Sequence, residues 1–288
     1  MKKLGILLLV VFPVGVGAGC VGGKTTTTST TSTTSTTSST LSSTTSKVSA
    51  QPKHYSRDEL LKNLRSIRQF TYIENTSISF NLTVKQGNLT QSGKVTVVYR
   101  RKGYIDFEEK KAEVNTTTIT FPGGASSFTR EIIVGNEVYI FFGGGWLKLT
   151  NETLGISPNV TLNMTWEYNI VNFTEKYLQR EPFKETFENG TQILYYNVTE
   201  DDLRAISEPL IGKEANVTFN VTDGVLELLF RDGKLIGGRM AYKMSVHIWR
   251  EELGKRVDVY EIGETYDEFV VKDINVKKSV HVTASYRA

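Results

Sequence analysis

Histidine, cysteine and paired acids are the side chains with which a chain of this kind would do chemistry, and they are few. Three histidines occur, His54, His247 and His281. His247 precedes Glu251 and Glu252, a set that invites a zinc reading. The residues around it alternate as a strand, however, and four positions along a strand separate side chains by about 13 Å, too far for one ion. The acidic pairs Glu108-Glu109, Asp201-Asp202 and Glu251-Glu252 put neighbours on opposite faces or in turns, so solvated charge accounts for them better than general acid and base work. Gly143 to Gly145 lacks the Lys-Ser/Thr of a phosphate loop and reads as a turn before Trp146. Trp146, Trp166 and Trp249 fit packing better than sugar stacking. The expectation is a protein that is not an enzyme, with no catalytic residue, no metal site and no cofactor.

Charge and thiol content narrow the partners. The 34 basic and 31 acidic side chains leave a net charge of +3, and no dense basic cluster is interleaved with aromatics, so nucleic acid is set aside. A single cysteine excludes an intramolecular disulfide and a CxxC metal knuckle.

That cysteine stands in an informative place. Lys2 and Lys3 precede an apolar run from Leu4 to Val16, the form of a secretory signal over residues 1–19. Gly17-Ala18-Gly19-Cys20 resembles the lipobox of surface lipoproteins, with Gly17 where bacterial lipoboxes carry an aliphatic residue. The resemblance implies that Cys20 is lipid-modified and ties the protein to a membrane. One acyl chain binds only marginally, so a stable anchor implies two chains or a long archaeal diether. Thr25 to Ser46 is Thr and Ser except for Leu41, a composition that cannot bury a core and reads as a stalk within residues 20–53. Extended, its 22 residues reach roughly 70 to 75 Å.

A second signal runs through the remainder. Asn75, Asn81, Asn88, Asn115, Asn151, Asn159, Asn163, Asn172, Asn189, Asn197, Asn216 and Asn220 each begin an Asn-x-Ser/Thr sequon, twelve of the sixteen asparagines. Random placement would give roughly two or three, so the excess points to N-glycosylation outside the cell. Stalk and sequon density together point to an archaeal source.

The elements that carry these residues can be read coarsely. Ser56-Arg57-Asp58-Glu59 has the capping-box form, and Leu60, Leu61, Leu64, Ile67 and Phe70 follow at helical spacing, which predicts a helix over about 57–70. Ile78, Phe80, Leu82 and Val84 alternate with Ser77, Ser79, Asn81 and Thr83 as a half-buried strand. Strands separated by Gly-containing turns continue through "GKVTVVYRR", "GYIDFEEKK", "EVNTTTITF", "TREIIVG" and "EVYIFFGGGWLKL". Trp166, Ile170, Phe173 and Tyr177 recur at helical intervals before Pro182. A hairpin turning at Asn189-Gly190 follows, then a short helix capped by Thr199. Strands return from 216, with turns expected at Asp223-Gly224 and Asp232-Gly233.

This order resembles the bacterial lipoprotein-carrier superfamily, which includes LolA, LolB, LppX and LprG. Phrases such as "NEVYIFFGGGWLKL" and "RDGKLIGGRMAY" carry the likeness over residues 55 to 280. It implies an α+β fold over residues 54–288, a strongly curved antiparallel sheet forming an unclosed half-barrel around a few helices. It also implies a concave apolar face that holds acyl chains, lined here by Phe80, Leu82, Val97, Tyr99, Phe107, Ile140, Phe142, Phe219, Met240, Tyr242 and Met244. Simple core packing would give the same alternation.

Two function classes remain. One is a lipid-anchored glycoprotein on the extracellular face of the cell membrane that binds a lipid, isoprenoid or other hydrophobic ligand without catalysis. The other is a recognition or structural module of the cell envelope that binds a protein or glycan partner. A cavity on the inner sheet face favours the first and a close-packed interior the second.

Overall fold

The computed structural model describes residues 53–142, 144–150, 158–204, 216–252 and 255–281. The signal segment, Cys20, the stalk and Asn151 lie outside the described residues. In chain order the elements are α1 (Arg57–Arg65), β1 (Gln69–Gln86), β2 (Leu89–Asp106), β3 (Lys111–Phe121), β4 (Ala125–Val134), β5 (Glu137–Phe142) and β6 (Gly145–Lys148). There follow α2 (Pro158–Trp166), α3 (Ile170–Leu178), β7 (Lys184–Glu188), β8 (Thr191–Asn197), β9 (Asn216–Arg231), β10 (Lys234–Glu252) and β11 (Lys255–Lys272).

All eleven strands join one antiparallel sheet in the order β6-β5-β4-β3-β2-β1-β11-β10-β9-β8-β7. The chain therefore walks outward by hairpins from β1 to β6, crosses through α2 and α3, and walks back from β7 to β11. The first and last strands pair at the centre, from Thr71↔Lys272 to Gln86↔Val257, and β6 and β7 are left as edges. The sheet is unclosed.

It nevertheless bends. Eight strand spacings separate β5 from β8, about 38 Å if flat. The nine-residue helices α2 and α3 measure about 13 Å each, yet α2 touches β5 while the Tyr177 ring of α3 meets Tyr196 of β8 at 5.6 Å. The sheet must wrap around them. Helix α1 completes the filling: Asn63 Nδ2 donates to Gly233 O at 2.9 Å, and Arg65 pairs with Glu175 of α3 at 2.8 Å. One apolar cluster follows, joining Leu60 and Leu64 of α1, Met164, Phe173 and Tyr177 of the other helices, and the inward residues of the strands from Ile140 to Leu194. A smaller cluster of Tyr104, Ile132, Tyr139 and Trp146 lies on the opposite, convex face, closed by Val280 of the segment after β11. The Lys278 N–H donates to the Tyr104 hydroxyl at 3.0 Å and holds that segment down.

Several expected boundaries move. The capping box forms as read, with Ser56 and Glu59 exchanging bonds, but α1 stops at Arg65 and Phe70 belongs to β1. Phe70 satisfies both periods, three residues after Ile67 and two before Tyr72, and the long β1–β2 ladder decides in favour of the strand. The strand pair expected around Gly103 is one strand, β2, running straight through it. The helix around Trp166 and Tyr177 is two, because Asn169 breaks the run as the N-cap of α3, its side chain accepting from the Val171 and Asn172 N–H groups. Asp223-Gly224 is a bulge inside β9, where the register slips between Ala241 and Lys243; Asp223 takes φ 53° and Gly224 O accepts from Val198 N–H. The turns at Asn189-Gly190 and Asp232-Gly233 form as expected, with positive φ at all four residues.

Asp202, expected to be solvated, is 1% exposed. It accepts from Arg180 and from the Thr199 N–H, and Lys176 stands 3.1 Å away. Burial would raise its carboxyl, but these three partners outweigh it and hold the group well below the usual carboxylate range.

Candidate ligand-binding face

The apolar residues expected to line the concave face converge on it. Phe80, Val97, Tyr99, Ile140, Met240, Tyr242 and Met244 are buried in the main cluster, and Leu82 and Phe107 pack against it half-buried. The side chains of Phe142 and Phe219 lie outside the described residues.

The same face carries a polar belt that the apolar reading missed. Side chains on a strand alternate, so every residue in phase with Tyr72 and Ile78 on β1 points inward, and that phase includes Glu74 and Thr76. On β2 the phase of Val97 and Tyr99 includes Arg101. Register then sets them side by side. One row reads Thr129–Thr116–Arg101–Glu74, and the next reads Tyr99–Thr76–Asp267–Met240. Glu131 of β4 lies in the row on the other side of Arg101, with Val114, Gly103 and Tyr72. Arg101 is 2% exposed, Glu74 1%, Asp267 2% and Glu131 5%.

Arg101 Nη1 donates to Glu74 Oε2 at 3.0 Å, Thr76 Oγ1 donates to Asp267 Oδ1 at 2.6 Å, and the guanidinium stands 5.1 Å from the Tyr99 ring centre. Those bonds leave much unmet. Arg101 Nε and Nη2 and Glu74 Oε1 are buried with no protein partner. Glu261, about 20 Å along β11 from Asp267 between Leu82 and Val246, is 1% exposed with neither oxygen bonded.

Burial sets the charges. It opposes the Arg101 charge, but the Glu74 carboxylate more than compensates, so the guanidinium stays ionised. Burial raises the Glu74 carboxyl against the pull of Arg101. Glu131 is pushed up to about 7 and Glu261 to about 8, both by burial, and Asp267 rises well above its ordinary value by burial and by the nearby Glu74 charge. The belt therefore holds one fixed cation, Arg101, paired with Glu74, and burial inclines the Glu131, Asp267 and Glu261 carboxyls toward the protonated form.

The convex face offers different surroundings. Three clefts of about 410, 300 and 290 Å³ overlap there through Ser79, Lys243 and Glu264 on one side and Asn220, Ser245 and Ile262 on the other. Ile262 is 61% and Tyr266 47% exposed in this trough. His247 stacks on Tyr260 with ring centres 4.2 Å apart, and its Nε2 meets Asp258 at 2.8 Å. Of the tryptophans, Trp146 is buried in the smaller cluster, Trp166 packs against the main one, and Trp249 lies beside His247.

Nine of the eleven described sequon asparagines are exposed, but so are Asn136 and Asn275, which begin no sequon, and Asn172 Nδ2 donates to Trp166 O at 2.8 Å. Asn75, Asn81, Asn88, Asn159, Asn163, Asn189, Asn197, Asn216 and Asn220 are exposed, and Asn115 and Asn172 half-buried. Among the asparagines outside sequons, Asn63 bonds Gly233, Asn169 caps α3, and Asn275 accepts from the Arg68 N–H at 2.7 Å.

Among the described residues no helix is long and apolar enough to cross a membrane. No protein-family model matches the chain, and no curated protein matches it. Among solved structures, LprF from Mycobacterium bovis shares 10% identity over 80% of this chain and 97% of its own, with a TM-score of 0.33. A DUF1329 family protein from Desulfovibrio piger shares 8% over 77% and 93%, with a TM-score of 0.21. A putative outer membrane lipoprotein-sorting protein domain from Vibrio parahaemolyticus shares 9% over 71% and 87%, also at 0.21. All three TM-scores lie below 0.5.

Proposed function

We propose that the protein is a cell-surface, lipid-anchored glycoprotein that binds an amphiphilic ligand against the concave face of its sheet and performs no chemistry on it. The carrying observation is the belt of unpartnered polar atoms set in an apolar face. A surface that served only as packing would have no use for Arg101 Nε and Nη2, Glu74 Oε1 and both Glu261 oxygens, all buried and unbonded. Each such atom costs about 1–3 kcal/mol, more when charged, unless a ligand or ordered water meets it. A molecule with a long apolar body and polar groups supplies both kinds of partner. The tether follows from Cys20 and the Thr/Ser tract, and the sugar from the exposed sequons.

Solvent extraction of the purified protein followed by mass spectrometry tests the reading. A reproducible amphiphile at a stoichiometric amount supports it, and a protein that copurifies with nothing and binds no added amphiphile overturns it.

The packing of the three helices against the inner sheet face, together with the convex trough, favours a second reading, in which Ile262 and Tyr266 form part of a contact surface for an envelope protein or glycan. Cross-linking on whole cells separates the two. A stable stoichiometric neighbour attached through β10 or β11 supports the recognition module.

A further inference from the structure

The free edge of Arg101 says more about the ligand than the apolar lining does. A guanidinium is planar, and its Nε–H and one Nη2–H point the same way as a fork that matches two oxygens of one carboxylate or phosphate. In this protein Glu74 takes only Nη1. The Nε and Nη2 edge is the unused fork, buried and without a partner. Glu74 holds the guanidinium through Nη1, and the Tyr99 ring lies near it at 5.1 Å. The donor pair is therefore preorganised, in surroundings where a charge-assisted bond is stronger than in water.

We infer that the ligand carries an acidic headgroup, a carboxylate or a phosphate, that docks both of its oxygens on the Nε and Nη2 edge of Arg101. This rests on the concave-face reading above. The apolar body then runs from the belt toward Val97 and Val95, a strip of about 20 Å on β2 between positions 101 and 95. The titratable groups near the guanidinium are Glu74, Glu131, Asp267, Tyr72 and Tyr99. Glu74 is the one already committed to the guanidinium. Burial inclines Glu131 and Asp267 to stay protonated, so they oppose an incoming anion less than their number suggests and can donate to it.

The test uses the full-length protein, stripped of bound lipid, and four probes of equal chain length: palmitate, hexadecyl phosphate, hexadecanol and hexadecylamine. Inorganic phosphate and acetate serve as heads without tails. Palmitate or hexadecyl phosphate should bind at least about tenfold tighter than hexadecanol. Which of the two is tighter identifies the headgroup. The paired variant Glu74→Gln with Arg101→Gln should erase the preference of acid over alcohol, with the far-ultraviolet spectrum checked for folding. Should the variant not fold, carbon-13 NMR of carboxyl-labelled palmitate on the unaltered protein answers the same question. A carboxylate on the fork stays ionised below its usual titration range, and one that titrates as in free solution overturns the inference. Equal binding of acid and alcohol, or a preference for the amine, also overturns the headgroup inference and leaves the concave-face reading standing. Binding of none of the four overturns both. Binding of inorganic phosphate or acetate as tight as that of the long-chain acids overturns the amphiphile and leaves an ion site.

Discussion

The Tyr72 ring lies across the Cα of Gly103, its antiparallel partner on β2, so closely that a methyl group at Gly103 would occupy the space of the ring. Tyr72 is 6% exposed and has the packed core around it, so it cannot swing clear freely. Gly103→Ala should cost about 1–3 kcal/mol through overpacking. Gly93→Ala, on the same strand where an added Cβ meets nothing, should stay within about 0.5 kcal/mol of the parent or stabilise slightly. Thermal unfolding of the two variants side by side checks the contrast.

Glu261 makes stability fall as pH rises. Its folded carboxyl titrates near 8 and its unfolded one near 4.3, so between those values the folded state holds more protons than the unfolded state. Stability is highest near the acid end of that window, declines through it, and levels off above about pH 8. The total decline from this one group is at most about 5 kcal/mol. Glu261→Gln should flatten the slope and raise stability at pH 8, as measured by denaturant unfolding across pH. An unchanged slope would show that Glu261 is hydrated or bonded in solution.

Asp202 acts in the opposite sense. Arg180, Thr199 and Lys176 hold its folded carboxyl below the unfolded value near 3.9, so the stability it contributes is complete above about pH 5 and is lost as pH falls toward the folded pKa. Asp202→Asn should destabilise by about 2–4 kcal/mol at pH 7, because it strips the counter-charge from Arg180 and Lys176. The gap between variant and parent should narrow under strongly acid conditions. A gap independent of pH would mean that packing, not charge, is what Asp202 supplies.

Surface position predicts which asparagines tolerate change. Gln at Asn75, Asn81 or Asn220 should each remove one sugar chain from the native protein's intact mass and shift the melting temperature by little, since all three side chains are exposed. Asn169→Ala should remove no sugar and cost about 1 kcal/mol, the worth of the α3 N-cap. Unshifted masses in the first set would overturn glycosylation at those sites.

Periodicity made the apolar half of the concave face legible. Phe80 and Leu82 on β1, and Met240, Tyr242 and Met244 on β10, could be assigned inward from alternation alone. The same alternation contained the belt, since Glu74 is two residues from Tyr72 and Arg101 two from Tyr99, but charge is ordinarily assigned to the wet side. Only the ladders show that these residues meet. Asp202 escaped for a related reason: its partners Lys176 and Arg180 come from α3 and the turn that follows it, and no local spacing announces them. Asp223-Gly224 carries the same dipeptide signal as Asp232-Gly233, and what separates a bulge from a hairpin there is that β10 is long enough to pair with both sides of it. Phe70 was ambiguous by construction, being in phase with both a helix and a strand.

Pairing the first strand with the last has a consequence for the order of assembly. The hairpins β1 to β6 are local and can zip as soon as each turn emerges, and so can β7 to β11. The seam between them cannot. Thr71 meets Lys272 across two hundred residues of chain, and until β11 exists one flank of β1 stands unpaired with Tyr72, Ile78 and Phe80 beside it. Through all of that interval the nascent molecule carries an open, apolar strand edge of the kind that invites a neighbour, and the sequons at Asn75 and Asn81 lie on that same strand. Sugar added there early would screen the edge sterically while it waits, so any chain carried by these two sequons would first serve as an escort.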